Sequence, residues 1–169
     1  MSVLKRSICA TVAALVAAGL SVHGQSLGPY TQKQQLVKTS EVKYLFPEQV
    51  SVPAGKQAEV ALHFNVAPGL HINSHTPTDE FLIPTTFSIP SGSGVRLEST
   101  TYPPGTVMAL PADPKTKLSV YTGEFVIRAH IVATAGNHLV RGQLHYQACD
   151  NNQCMPPKTI AVAIDVIGK

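Results

Sequence analysis

Two cysteines pose the chemical question. Cys149 and Cys154 sit in His145-Tyr146-Gln147-Ala148-Cys149-Asp150-Asn151-Asn152-Gln153-Cys154-Met155-Pro156-Pro157, with four polar residues between them. A strand ending near Cys149, a turn over Asp-Asn-Asn-Gln and a new strand after the two prolines would set the cysteines across a hairpin-like loop. There their Cα atoms can approach within the about 4.4–6.8 Å that a disulfide needs. A bond closing so short a loop removes roughly 2 kcal/mol of chain entropy at best, against about 4.7 for a 100-residue loop. An accessible bond across a surface turn is also open to thiolate attack. The spacing therefore favours thiol-disulfide exchange, with a turn-clamping structural disulfide as the competing reading.

The neighbours define the remaining chemistry. No Lys or Arg lies in the loop to stabilise a thiolate, and Asp150 would raise a nearby thiol's pKa. His145 shares Cys149's strand face but falls roughly 13 Å away if the strand is extended. His145, Cys149, Cys154 and Met155 form a soft ligand set that would suit copper, yet no histidine follows Cys149 to complete a blue-copper arrangement. His71 and His75, with no third ligand evident, read as surface histidines. Asp79 and Glu80 are adjacent and point to opposite faces of a strand. No phosphate loop, Gly-x-Ser-x-Gly or His-Glu-x-x-His motif occurs. The residues call for no cofactor and no metal.

The elements that must carry the cysteines read as β throughout. Strand candidates are Val42–Leu45, Gln49–Val52, Ala58–Val66, Leu70–Asn73, Thr85–Ile89, Val95–Thr101, Glu124–Val132, His138–Ala148 and Ile160–Val166, with turns at Pro53-Ala54-Gly55, Pro68-Gly69 and Ser91-Gly92-Ser93-Gly94. Pro103-Pro104-Gly105 and Pro111–Lys117 read as a long irregular connection. Phe125, Ile127, Ala129 and Ile131 alternate with Arg128 and His130, the period of a half-buried strand. Short strands with frequent turn signals, 13 prolines and 12 glycines predict an all-β sandwich in a single domain.

The N-terminus addresses the compartment. Lys5 and Arg6 precede the apolar run Ile8–Leu20 and the small-residue stretch Ser21-Val22-His23-Gly24, the layout of a secretory signal peptide. The run is shorter than the about 20 residues a bilayer requires, so no membrane segment is expected after cleavage. Residues 1–24 are read as the signal peptide, 25–40 as a flexible leader and 41–169 as the working domain. Cys9 leaves with the peptide, and two cysteines remain in an oxidising compartment. A net charge of +3 with scattered basic residues is too slight to imply a nucleic-acid partner, and none is expected.

Tyr146-Gln147-Ala148-Cys149 with Cys154-Met155-Pro156-Pro157 resembles the N-terminal periplasmic domain of the thiol:disulfide interchange protein DsbD, the disulfide bond corrector (DsbC-type) family. Gly69-Leu70-His71-Ile72-Asn73-Ser74, Phe81-Leu82-Ile83-Pro84-Thr85 and Tyr102-Pro103 add softer support, and the likeness spans about Val42–Val166. The resemblance implies an immunoglobulin-like antiparallel sandwich, a periplasmic location and an electron-transfer module rather than a stand-alone enzyme. It implies thioredoxin-like domains as electron donor and acceptor, a link to disulfide isomerisation or cytochrome c biogenesis, Cys154 as the exchanging residue and Cys149 as the resolving one. The chain ends at Lys169 without the membrane or thioredoxin domain of the full protein, so the donor is expected in trans, a separate membrane electron carrier being one candidate. Family members can shield the disulfide with an aromatic Asp-Glu-Phe cap loop. Here Asp79-Glu80-Phe81 lies too early, and the equivalent position near Leu110–Lys115 has no aromatic residue.

Overall fold

Val60, Leu62, Phe64 and Val66 are buried while Glu59, Ala61 and His63 beside them are exposed, and the same alternation runs through residues 124–133, 138–146 and 158–168. The period-two pattern is the one a sheet covered on a single face demands. The computed structural model describes residues 40–45, 49–111 and 113–169. Among these it places twelve strands and no helix: β1 (Val42–Leu45), β2 (Gln49–Val52), β3 (Gln57–Val66), β4 (His71–Asn73), β5 (Thr86–Ser88), β6 (Val95–Thr101), β7 (Thr106–Leu110), β8 (Asp113–Tyr121), β9 (Glu124–Ala133), β10 (Gly136–Tyr146), β11 (Ala148–Cys149) and β12 (Lys158–Gly168). The expected signal peptide and most of the expected leader lie outside the described residues. No helix among the described residues is long and apolar enough to cross a membrane.

The strands form an immunoglobulin-like sandwich of two four-stranded sheets, ordered β1-β3-β9-β6 and β2-β12-β10-β5. Their inward residues, among them Phe64, Ile127, Val140, Leu144 and Ile164, make one apolar core. Pairing is antiparallel except that β2 runs parallel to β12, Val50 facing Val166. Gly142 on β10 leaves room for a neighbour: a Cβ there would lie 2.8 Å from the Phe87 ring of adjacent β5.

A third sheet, β11-β4-β8-β7, carries the cysteines. Its β7–β8 hairpin replaces the irregular connection expected around Pro103–Lys117. Residues 113–117 of β8 are exposed whichever way they point, so no apolar alternation marks them as strand. Only Leu118, Ser119, Val120 and Tyr121, nearer the core, are partly or fully buried.

Candidate functional site

The chain changes sheets just before the first cysteine. β10 ends at Tyr146, Gln147 interrupts it, and Ala148 and Cys149 pair with Ile72 and His71 of β4. His145 therefore belongs to a different sheet from Cys149, and its Nδ1 meets the Thr159 hydroxyl at 3.1 Å. The single extended strand assumed from His138 to Ala148 does not exist. The four-ligand grouping weighed for copper loses its histidine for the same reason.

The entry and exit strands are tied together at this corner. Buried Tyr146 donates its hydroxyl to the Glu41 carboxylate at 3.2 Å, and Lys158, its opposite on β12, pairs with the same carboxylate. The hydrogen bond and charge of Lys158 hold the Glu41 carboxyl below its usual value. Burial, reinforced by the Glu41 charge, pushes the Tyr146 phenol up to about 12.

Between the cysteines the turn closes on itself. Asp150 N–H donates to Gln153 O at 2.9 Å, and the Asp150 carboxylate accepts from the amides of Asn152 (2.7 Å) and Gln153 (2.8 Å). Asx turns of this type are why Asp and Asn favour tight bends. These bonds hold the Asp150 carboxyl below the ordinary carboxylate range. Outside the turn, Met155 N–H donates to Ala148 O at 2.8 Å and the Gln147 amide to Met155 O at 3.1 Å.

Cys149 and Cys154 are disulfide-bonded, their Cα atoms 3.9 Å apart. They face each other as an antiparallel bridge pair, closer than the spacing argument required. The two sulfurs are unequal in access, because Cys149 is only 2 % exposed whereas Cys154 lies on the surface. Beside them is a cavity of about 250 Å³ bordered by His71, Asn73, Leu82, Leu110 and Leu118. Leu110 comes from the hairpin that occupies the expected cap position. Leu82 follows Asp79-Glu80-Phe81, whose letters match the cap motif but which lies too early in the sequence to be its equivalent. Phe81 itself is 84 % exposed.

His71 corrects the sequence reading. It was expected at the surface, and the structure buries it to 3 % exposure directly across from Cys149. Desolvation lowers its pKa, opposed by the charge of Asp150. Its strand has only three residues, all buried, so no alternation survives to report which face is covered. His75 is exposed, but its ring stacks on Tyr102 at a centroid distance of 3.7 Å and its Nδ1–H donates to Thr85 O at 3.0 Å.

The softer motifs converge behind this site. Thr85 Oγ1 donates to Asn73 O at 2.6 Å, the Asn73 amide to Ile83 O at 3.0 Å, and Ser74 N–H to Ser119 O at 2.9 Å. The Tyr121 hydroxyl donates to Pro103 O at 2.9 Å and accepts from His75 N–H at 3.1 Å. These bonds fasten Ser74–Thr85 and the Tyr102-Pro103 segment around β4. No side-chain nitrogen or oxygen fully sealed from solvent among the described residues lacks a partner.

The family model described as thiol:disulfide interchange protein DsbD, N-terminal, matches residues 35–165. The N-terminal periplasmic domain of ScsB from Proteus mirabilis is a structural match at TM-score 0.50 and 13 % identity, covering 73 % of this chain and 44 % of that one. The N-terminal domain of DsbD from Neisseria meningitidis, in the reduced form, matches at TM-score 0.46 and 17 % identity, covering 68 % of this chain and 82 % of that one. No curated protein matches the sequence.

Proposed function

The chain belongs to the DsbD N-terminal family, and on that premise we propose that it is a periplasmic thiol-disulfide exchange module that passes reducing equivalents through the Cys149–Cys154 bond. The observation that carries the proposal is the unequal access of the two sulfurs. An incoming thiolate reaches the exposed Cys154, while Cys149 beneath it serves as leaving group and later as resolving thiol.

The turn's own hydrogen bonds support exchange over reinforcement. Asp150 closes the bend through three backbone bonds that do not involve sulfur. A disulfide added to a turn already closed contributes little holding, and the short loop limits its entropic effect as well.

The reaction balances as two successive displacements. A thiolate of a partner dithiol bonds to Cys154 Sγ, the Cys149–Cys154 bond breaks, and its electron pair leaves on Cys149 Sγ. The partner's second thiolate then attacks its own sulfur in the mixed disulfide and releases Cys154 as thiolate. The domain gains two electrons and the partner becomes a disulfide. Thioredoxin-like domains are the partners proposed, donating in one direction and accepting in the other, with disulfide isomerisation or cytochrome c maturation downstream.

Trapping tests this. The Cys149→Ser variant, mixed with a thioredoxin-like domain that keeps only its attacking cysteine and carries it as an activated mixed disulfide with a small thiol, should accumulate a protein–protein mixed disulfide through Cys154, and Cys154→Ser should accumulate none. Absence of any trapped complex in both, or a reduction potential below about −300 mV, would leave the turn-clamp reading in its place.

A further inference from the structure

His71 is a buried titratable group beside the sulfurs that the displacement scheme leaves unused. It stands opposite Cys149 in the β4–β11 register, and residues directly opposite on paired strands present their side chains to the same face. Both line the cavity next to Cys154. Among the described residues no hydrogen bond engages the His71 ring, and its nitrogens are not fully sealed from solvent.

We propose that His71 is the proton partner of Cys149 during exchange, an assignment that rests on the reading of the disulfide as exchangeable. When the bond opens, a ring N–H donates a hydrogen bond to the thiolate left on Cys149, and the proton that completes the thiol enters from solvent through the cavity. In the reverse direction the Cys149 thiol passes its proton to the imidazole. The resulting thiolate attacks Cys154 Sγ and expels the partner's thiolate.

The surroundings suit that role. Apart from His71, the ionisable or thiol-bearing residues bordering the cavity, among the described residues, are Asp150, Cys149 and Cys154. On the other side of β4, Tyr121 of β8 faces Ile72 and commits its hydroxyl to Pro103, while Lys115 and Lys117 are exposed. Burial keeps the imidazole neutral near neutral pH, able to accept a proton, and Asp150 moderates that effect. His71 thus supplies the thiolate support that the loop, lacking any Lys or Arg, does not.

The test uses the full chain. In a Cys154→Ser background, the Cys149 thiol titration, followed by thiolate absorbance, should move about one pH unit higher when His71→Phe is added. With both cysteines present, His71→Phe should be reduced by dithiothreitol about fivefold more slowly near neutral pH, through the poorer leaving thiol. The rate-pH profile, corrected for the reagent's own thiolate, should lose its inflection below about 6.5. Should His71→Phe fail to fold, His71→Gln keeps a polar side chain in place and should lose the same inflection. A Cys149 titration unmoved by the substitution, with reduction unchanged at every pH, overturns the assignment. If the wild-type chain exchanges normally in that experiment, only His71's role falls; if the wild-type disulfide resists partner thiols altogether, the exchange reading falls with it.

Discussion

The two ends of the sandwich differ in a way that cavity size would misrepresent. At the end where β9 finishes, Ile89, Pro90, Val95 and Ala133 help to line a groove of about 580 Å³ in which, among the described residues, Arg96 is the sole ionisable one. At the other end, roughly 30 Å away along the ten residues of β9, the cavity of about 250 Å³ borders a disulfide, a buried histidine and a carboxylate. The larger hollow has shape without reactive groups. The smaller has a bond that can break, one sulfur exposed and the other covered.

The sharpest way to break this comparison is to remove the exposed sulfur. Cys154→Ser should abolish turnover in a thiol-coupled reductase assay, while Arg96→Ala in the large groove should leave the rate within about twofold of wild type. Equal losses from both would mean that the partner reads the whole sandwich rather than one end.

Stability separates the regions next. Gly142→Val drives side-chain atoms against Phe87 and should cost about 3 kcal/mol or more in urea unfolding, with the reduction potential unchanged. Reducing the disulfide should cost no more than about 2 kcal/mol and leave a folded protein. A loss of twice that size would mark the bond as a staple and weaken the exchange reading.

Much of this division was legible in the sequence. The long strands announced themselves because Val60, Leu62, Phe64 and Val66, like Phe125, Ile127, Ala129 and Ile131, carry strict alternation on a one-sided sheet. The Cys149–Cys154 turn was legible because Asp-Asn-Asn-Gln is turn chemistry and the prolines mark the exit. The third sheet was not. β4 is buried at all three positions and β8 is exposed over its first five, so neither shows a period. His71 was misplaced because its burial depends on β11, nearly eighty residues further along the chain. The switch of sheets at Gln147 was hidden because the alternation in residues 138–146 gives no sign that hydrogen-bond partners change afterwards.

The corner at Glu41 should give a smaller, pH-dependent effect. Lys158 and Tyr146 both stabilise the charged carboxylate, so its folded-state pKa is lowered from 4.5. A depressed carboxyl contributes stability that is present above the unfolded pKa and is lost as pH falls through the folded value. Glu41→Gln should therefore cost about 1–2 kcal/mol at pH 7, and the gap to wild type should narrow progressively below pH 4.5 in denaturant titrations. A gap of the same size at pH 3 would show that the corner is held by packing of Tyr146 rather than by charge.

The smallest effect on folding, and the most informative about the site, belongs to Asp150. Its carboxylate accepts two amide bonds within the turn, so its folded-state pKa is lowered from 3.8, and the turn keeps this support above that value and loses it as pH falls further. Asp150→Asn preserves an acceptor oxygen for the same amides, and global stability should barely change because the residue is only partly buried and outside the core. What the substitution removes is the negative charge beside both Cys149 and His71. Without it the Cys149 thiolate forms more readily, while the imidazole loses the charge that favours its protonated form. Reduction by dithiothreitol near neutral pH should then rise by about two- to threefold, with the low-pH inflection moved toward lower pH. Slower reduction in Asp150→Asn would mean that the carboxylate acts by shaping the turn around the sulfurs and that its charge is incidental.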